Sequence, residues 1–229
     1  MEAIVLAGGL GTRLRGVVDD VPKPMAPVQG RPFLALILDQ LVAAGFKTAI
    51  FAAGYRHEAI RSYFGEDYCG LALRYSVERE PLGTGGAIRL ACAHAAGRDV
   101  FVLNGDTYLE LDFRAMLDAH ATAAAELSMA ICHVPDVARY GALEVNDGMV
   151  QGFLEKGRSG PGWINAGTYV LGPELRARLW PQGAFSFEQD LLEPEVRSIR
   201  PLAFRSSGRF IDIGSPEDYA RAQTLFRTG

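Results

Sequence analysis

Basic residues, cysteines and long apolar runs are all scarce in these 229 residues, and each shortage removes a class of function. Lys and Arg number 23 against 27 Asp and Glu, a formal net charge of -4, so the chain lacks the general positive field of a nucleic-acid binder. Its three cysteines, Cys69, Cys92 and Cys132, are odd in number and far apart, with no CxxC and no histidine at ligand spacing. They do not form a disulfide framework, and read as reduced, mostly buried thiols of a cytosolic protein. No apolar run approaches the ~20 residues that span a bilayer. Met1 leads straight into an apolar stretch without a basic leader and cleavage site, so a cytoplasmic protein with no membrane partner is expected. Repeats, low-complexity segments and an interdomain linker are absent too, and Arg158 to Gly162 is only a loop. No Ser-His-Asp or Cys-His set supplies an activated nucleophile.

What the chain does have is apolar content, 48%, in a length suited to one sizeable α/β domain. Its first apolar run, Ala3 to Ala7, ends in Gly8, Gly9 and Gly11. That reads as a strand feeding a loop whose backbone can approach a ligand closely, because no Cβ intervenes. Successive unobstructed N–H groups form an anion cradle. Arg13 adds a bidentate cation, and Lys23 adds a point charge on a segment stiffened by Pro22 and Pro24. Together they suit a polyphosphate. Two other glycine motifs fail: after Gly11 comes Thr12-Arg13-Leu14 rather than the Lys-Ser/Thr of a nucleoside triphosphatase loop, and Leu14 stands where a dinucleotide fingerprint needs glycine.

The order of elements predicts the fold. Pro32 to Ala44 has apolar residues at helical spacing and stops at Gly45; Lys47 to Ala53 is a strand, Glu58 to Phe64 a helix and Leu71 to Val77 a strand. A second glycine-rich loop, Glu78 to Ala87, opens a helix that runs to about Ala96, and Asp99 to Leu103 is the next strand. Such alternation implies a doubly wound, mostly parallel sheet flanked by helices, with ligands beyond the carboxyl ends of the strands. The second half changes character. After a helix near Phe113 to His120 come strands at Leu127–Cys132, Ala142–Val145 and Val150–Leu154, and Asp147-Gly148 between the last two predicts a hairpin, hence a small antiparallel part. Ser186 caps a short helix, Pro201–Arg205 and Phe210–Ile213 are strands, and Ser215-Pro216-Glu217-Asp218 starts the last helix. The whole is expected as one domain, 1–229, in two parts of about 1–110 and about 111–229.

GGxGTRL at 8–14 followed by PKPM at 22–25 resembles the signature of the sugar-1-phosphate nucleotidyltransferases, which join a nucleoside triphosphate to a sugar phosphate and release pyrophosphate. The resemblance continues in order through EPLGTGGA, VLNGDT, RYG, EK, NAGTYV, FSFEQDLL and FIDIGSPEDY, and is greatest to members that pair GTP with a heptose 1-phosphate. Mannose, glucose or N-acetylmuramate 1-phosphate with GTP, UTP or dTTP stay open, as does a non-catalytic nucleotide-sugar-binding regulatory subunit. By this resemblance Leu6, Ala7, Gly8, Gly9, Gly11, Thr12, Arg13, Pro81, Gly83, Thr84 and Asp106 bind the nucleotide, Gly83 touching the base through its backbone. Gly141, Glu155, Asn165 and Thr168 bond sugar hydroxyls, and Lys156 meets the sugar phosphate.

The reaction so implied needs no general base, because the attacking sugar phosphate is already an anion. Charge neutralisation falls to Arg13, Lys23 and Lys156. Asn104-Gly105-Asp106 is common turn chemistry, yet its place at the tip of a central strand suits a hard cation with oxygen ligands. Asp106 and Asp212, each following an apolar strand at the ligand edge, are expected to hold one Mg²⁺ together. Glu78, or Glu80 two residues on, can accept the adjacent N1–H and 2-amino donors of guanine, whereas uracil and thymine set carbonyls against a carboxylate. That favours GTP. A homo-oligomer is compatible with all of this.

Overall fold

The computed structural model describes residues 1–8, 21–54, 57–154, 157–178, 181 and 183–227. In chain order the strands are β1 (Glu2–Leu6), β2 (Pro27–Val28), β3 (Arg31–Pro32), β4 (Thr48–Ala53), β5 (Asp67–Tyr68), β6 (Leu71–Val77), β7 (Val100–Asn104), β8 (Thr107–Leu109), β9 (Leu127–Val134), β10 (Leu143–Asn146), β11 (Met149–Phe153), β12 (Gly162–Leu171), β13 (Leu202–Ser206) and β14 (Phe210–Asp212). The helices are α1 (Phe33–Ala43), α2 (His57–Phe64), α3 (Gly83–Cys92), α4 (Phe113–Thr122), α5 (Pro173–Ala177), α6 (Glu193–Ile199) and α7 (Pro216–Leu225).

Ten strands form one sheet in the order β10-β11-β13-β9-β12-β7-β1-β4-β6-β5. The block β7-β1-β4-β6 is parallel throughout. All six residues of β4 are buried, as expected for a strand covered by helices on both faces. Successive side chains of β1 feed opposite layers: Val5 joins Phe33, Leu38 and Met116 under α1 and α4, while Ile4 joins Ile88 and Val196 under α3 and α6. The antiparallel part lies where the second half inserts β12 between β7 and β9 and ends the sheet in the β10–β11 hairpin. Asp147 (φ +50°) and Gly148 (φ +74°) are both left-handed, the turn that matches strand twist in a two-residue hairpin.

Two expectations need correction, and a third, the helix capped by Ser186, is borne out with a detail added. The helix after the second glycine loop ends at Cys92, not near Ala96. Glu2 accepts the N–H groups of Ala96 and Gly97, and Arg176 donates to the carbonyls of Gly97 and Arg98, so tertiary hydrogen bonds hold an alanine-rich stretch out of helix. The helix capped by Ser186 begins as a wide π turn, Phe187–Leu192, before α6. And the cysteines differ among themselves: Cys132 is buried, its thiol pushed up to about 12 by desolvation, while Cys92 is half-buried and Cys69 exposed.

Candidate functional site

A cavity of about 360 Å³ opens beyond the carboxyl ends of β1 and β7. Leu6, Gly8, Lys23, Glu78, Pro81, Gly83, Thr84 and Asp106, all singled out in the sequence, line it. Ala7 lies behind them, buried, its N–H donated to Ala52. Gly9, Gly11, Thr12 and Arg13 fall outside the described residues, as do Glu155 and Lys156.

The acidic corner of this cavity is assembled by backbone pairing. β8 and β14 run antiparallel with Asp212 opposite Thr107, and Ile213 donates its N–H to the Asp106 carbonyl at 3.0 Å. Two aspartates more than a hundred residues apart are thereby set side by side. Gly105 lets the turn close onto β1: its N–H bonds the Leu6 carbonyl, and a Cβ there would lie 2.5 Å from that oxygen. Between the carboxylates sits the Lys23 ammonium, 2.5 Å from Asp106 Oδ2 and 3.6 Å from Asp212 Oδ1. Lys23 is held on a 3₁₀ turn, Lys23–Met25, and the hairpin that follows is clamped to α7 by Tyr219 and Gln223, both donating to the Pro27 carbonyl. Burial, reinforced by the neighbouring Asp106, raises the Asp212 pKa, while Lys23 and the Gly214 N–H oppose the rise.

This donor set fits a hard divalent cation. The pair already holds one cation, the lysine ammonium. Among the described residues no third acidic, histidine or cysteine ligand joins them, which leaves the remaining positions to phosphate oxygens and water, the pattern magnesium prefers.

Glu78 lines the same cavity. Its Oε2 accepts the Leu82 N–H at 2.7 Å, and Oε1 lies so close to Gly8 and Gly54 that a Cβ at either would come within 2.8 or 2.9 Å of it. Glu80 is exposed and does not line the cavity, so of the two glutamates only Glu78 is in place. The glycines that follow have a use the sequence did not suggest. A Cβ on Gly83 would lie 2.4 Å from the Phe185 carbonyl and one on Gly85 2.1 Å from the Phe185 ring. The Gly85 N–H also donates to the Phe185 carbonyl, and the Phe185 N–H donates to the Leu82 carbonyl. These glycines admit a neighbouring segment; only Gly83 also reaches the cavity wall.

Of the described residues expected to meet the sugar, Gly141, Asn165 and Thr168, none lines this cavity. The Asn165 amide donates to Tyr169 Oη (2.7 Å) and Glu188 Oε1 (2.9 Å), and its side-chain carbonyl oxygen accepts the Gly167 N–H. Tyr169, fully buried, donates to Glu188 at 2.6 Å; burial first and the Glu188 carboxylate second push its phenol well above the usual value. A Cβ on Gly167, at φ +68°, would lie 2.5 Å from Asn104 Nδ2, so this network abuts a residue that lines the cavity. Thr168, in register with Leu103 in the middle of the sheet, is 5% exposed. Gly141 (φ +82°) closes the 137–141 turn and does not line the cavity. Sequence reasoning missed Glu188 and Asn104. The π turn that aims Glu188 inward leaves no pattern to read, whereas Asn104 stood beside Asp106 and was passed over as turn chemistry.

Comparison with known proteins identifies the family to which this fold belongs. The family model described as nucleotidyl transferase matches residues 2–228. The D-glycero-alpha-D-manno-heptose 1-phosphate guanylyltransferase of Aneurinibacillus thermoaerophilus is 44% identical, covering 97% of each chain, and that of Campylobacter jejuni is 39% identical over 96% of this chain and 97% of its own. The crystal structure of HddC from Yersinia pseudotuberculosis complexed with GMP-PN superposes with a TM-score of 0.87 at 39% identity, covering 99% of both chains. A cavity with paired aspartates beyond a parallel sheet, and matches over nearly the full length, lead to one conclusion: the chain belongs to the nucleotidyl transferase family and is an enzyme of that kind.

Proposed function

We propose that the enzyme transfers GMP from GTP to D-glycero-α-D-manno-heptose 1-phosphate, yielding a GDP-activated heptose and pyrophosphate in the cytoplasm. The observation that carries the chemistry is the meeting of Asp106, Asp212 and Lys23 at the rim of a cavity floored by Gly8. The choice of sugar is supported by the two heptose 1-phosphate guanylyltransferases similar over their whole length. The choice of guanine is supported by Glu78, which lines the cavity with one carboxylate oxygen held by the Leu82 N–H and the other lying against Gly8 and Gly54.

In this reading a phosphate oxygen of the sugar 1-phosphate attacks the α-phosphorus in line, a new P–O bond forms, and the bond to the β-phosphate oxygen breaks with its electron pair leaving on pyrophosphate. The nucleophile carries its own charge, so the protein's part is to bring two anions together and hold them. Lys23 leaves the aspartate pair to draw the α-phosphate, and Lys156 draws the sugar phosphate. Arg13 neutralises charge on the departing β- and γ-phosphates. Asp106 and Asp212 hold Mg²⁺, which polarises the phosphoryl oxygens when bound. Gly9, Gly11 and Thr12 cradle the triphosphate, and Gly141, Glu155, Asn165 and Thr168 serve the sugar. The chain thus acts as a single domain, 1–229, with a nucleotide part of about 1–110 and a sugar part of about 111–229. A regulatory subunit would not require a cation pocket; Lys23 and both aspartates are present and convergent.

The test is a screen of GTP, UTP, dTTP and ATP against heptose, mannose, glucose and N-acetylmuramate 1-phosphates, scored by pyrophosphate release. GTP with the heptose phosphate should give the highest kcat/KM. A higher value for mannose 1-phosphate, or for UTP, overturns the substrate assignment; no release with any pair overturns the activity. Arg13→Ala should lower turnover about a hundredfold, the ~3 kcal/mol expected for one preorganised charge on a leaving group.

A further inference from the structure

Arg139 lies two residues before Gly141, on the turn that leads into β10. Its guanidinium reaches across to the start of α7, where Nη2 donates to Ser215 Oγ at 2.8 Å and to the Asp218 carboxylate. Asp218 is 2% exposed, an unusual burial for an aspartate. Ser215 is the cap of α7: its Oγ accepts the Asp218 N–H and donates to Asp218 Oδ2. Three residues upstream is Asp212, whose Oδ1 accepts the Gly214 N–H at 2.6 Å. Beside this knot the Tyr140 ring packs edge-on against Phe210 of β14 at 5.6 Å.

We infer that Arg139 is a positioning residue that sets the loop carrying Gly141 and the turn carrying Asp212 against each other, so that the sugar-phosphate end and the metal end of the site share one geometry. The inference rests on the proposed sugar and metal roles of Gly141 and Asp212. Arg139 touches neither substrate in this scheme. It acts because a buried carboxylate binds a planar guanidinium through fixed directions, which a flexible ammonium does not reproduce. Asp218 does not depend on Arg139 for its only cation, since Arg221 Nη1 lies 3.4 Å from its other oxygen. Removing Arg139 therefore loosens the register of the two segments without stranding a lone buried charge.

The experiment compares wild type with Arg139→Gln, Arg139→Lys and Asp218→Asn, measuring KM for each substrate, the Mg²⁺ concentration for half-maximal rate, and amide hydrogen exchange of the ligand-free protein. Arg139→Gln should raise KM for the sugar 1-phosphate and the Mg²⁺ requirement each about tenfold, as expected when a group a few ångströms off is displaced by less than one, with KM for GTP changed less than about twofold. Exchange should quicken in both 137–141 and 213–215. Arg139→Lys should restore thermal stability but only part of the Mg²⁺ and sugar effects. Loss of melting temperature with unchanged KM and Mg²⁺ values, or quickened exchange in one segment alone, overturns the inference. Should Arg139→Gln not fold, Asp218→Asn decides by the same readouts. Wild type that fails to turn over GTP with any sugar 1-phosphate refutes the proposed function instead, and the exchange data still report on the coupling.

Discussion

The two ends of the site are built differently. At the acidic end Asp106 and Asp212 are fixed by the main chain: strand pairing of β8 with β14, the Ile213 N–H on the Asp106 carbonyl, and a glycine pressed onto β1. At the other end Asn165, Tyr169 and Glu188 hold each other by side chains drawn from β12 and a π turn. Main-chain pairing tolerates changes of side chain nearby and keeps the chemistry in place. Side-chain networks are easier to alter, which would suit the end of the site proposed to select among sugars.

The contrast breaks most sharply at the aspartate pair proposed to hold the metal. Asp106→Asn or Asp212→Asn should cut turnover between about a hundredfold and a thousandfold, because a preorganised charge at the reacting phosphates is lost while the backbone that holds it stays. Circular dichroism and melting temperature should stay near wild type. Activity of Asp212→Asn with normal dependence on Mg²⁺ and chelator would show that the two aspartates do not share an ion.

Glu188→Gln tests the side-chain end. The buried Tyr169 hydroxyl keeps an acceptor but loses a charged one, and Asn165 faces a second amide; together this should cost about 1–3 kcal/mol of stability. KM for the sugar phosphate should rise more than KM for GTP. Equal increases in both would mean that the network supports the whole cavity rather than its sugar end.

Glu78→Gln should erode base choice by about 1–3 kcal/mol, read as the ratio of kcat/KM for GTP to that for UTP, because guanine's paired donors lose an ionised acceptor. Glu80→Gln, at an exposed position outside the cavity, should leave the ratio unchanged. The reverse pattern would move guanine recognition to Glu80.

The sequence disclosed the parallel half well because its signals are local. Apolar runs between glycines give β1, β4 and β7, and Gly45 ends α1 within two residues of the expected place. The caps at Ser186 and Ser215 and the Asp147-Gly148 hairpin were equally local. What stayed hidden depends on partners remote in the chain. Strand β8 is three residues long and exists because β14, a hundred residues later, pairs with it. The ion triad of Lys23, Asp106 and Asp212 could be named from motif order, but its closeness follows only from that pairing. The packing of Gly83 and Gly85 on Phe185 could not be told from a ligand-binding role, since both demand the same missing Cβ.

Where the two halves of the chain meet, a buried histidine should record the smallest effect. His120, on α4, has Nδ1 2.7 Å from Ser128 Oγ of β9 and Nε2 3.6 Å from Asp99, just before β7. It therefore touches both halves. Desolvation by burial lowers its pKa below the usual 6.5, and the Asp99 carboxylate only partly opposes that. The unfolded chain thus binds a proton at a higher pH than the folded one does. By linkage, this residue's contribution to stability is complete above about pH 6.5 and is lost as pH falls through its lowered folded value. Urea midpoints measured from pH 8 to pH 5 should decline below about 6.5 in wild type, and His120→Gln, which keeps a partner for Ser128 but does not titrate, should flatten that part of the decline. If the two curves stay parallel across the window, His120 does not carry the acid sensitivity of the seam, and other groups must.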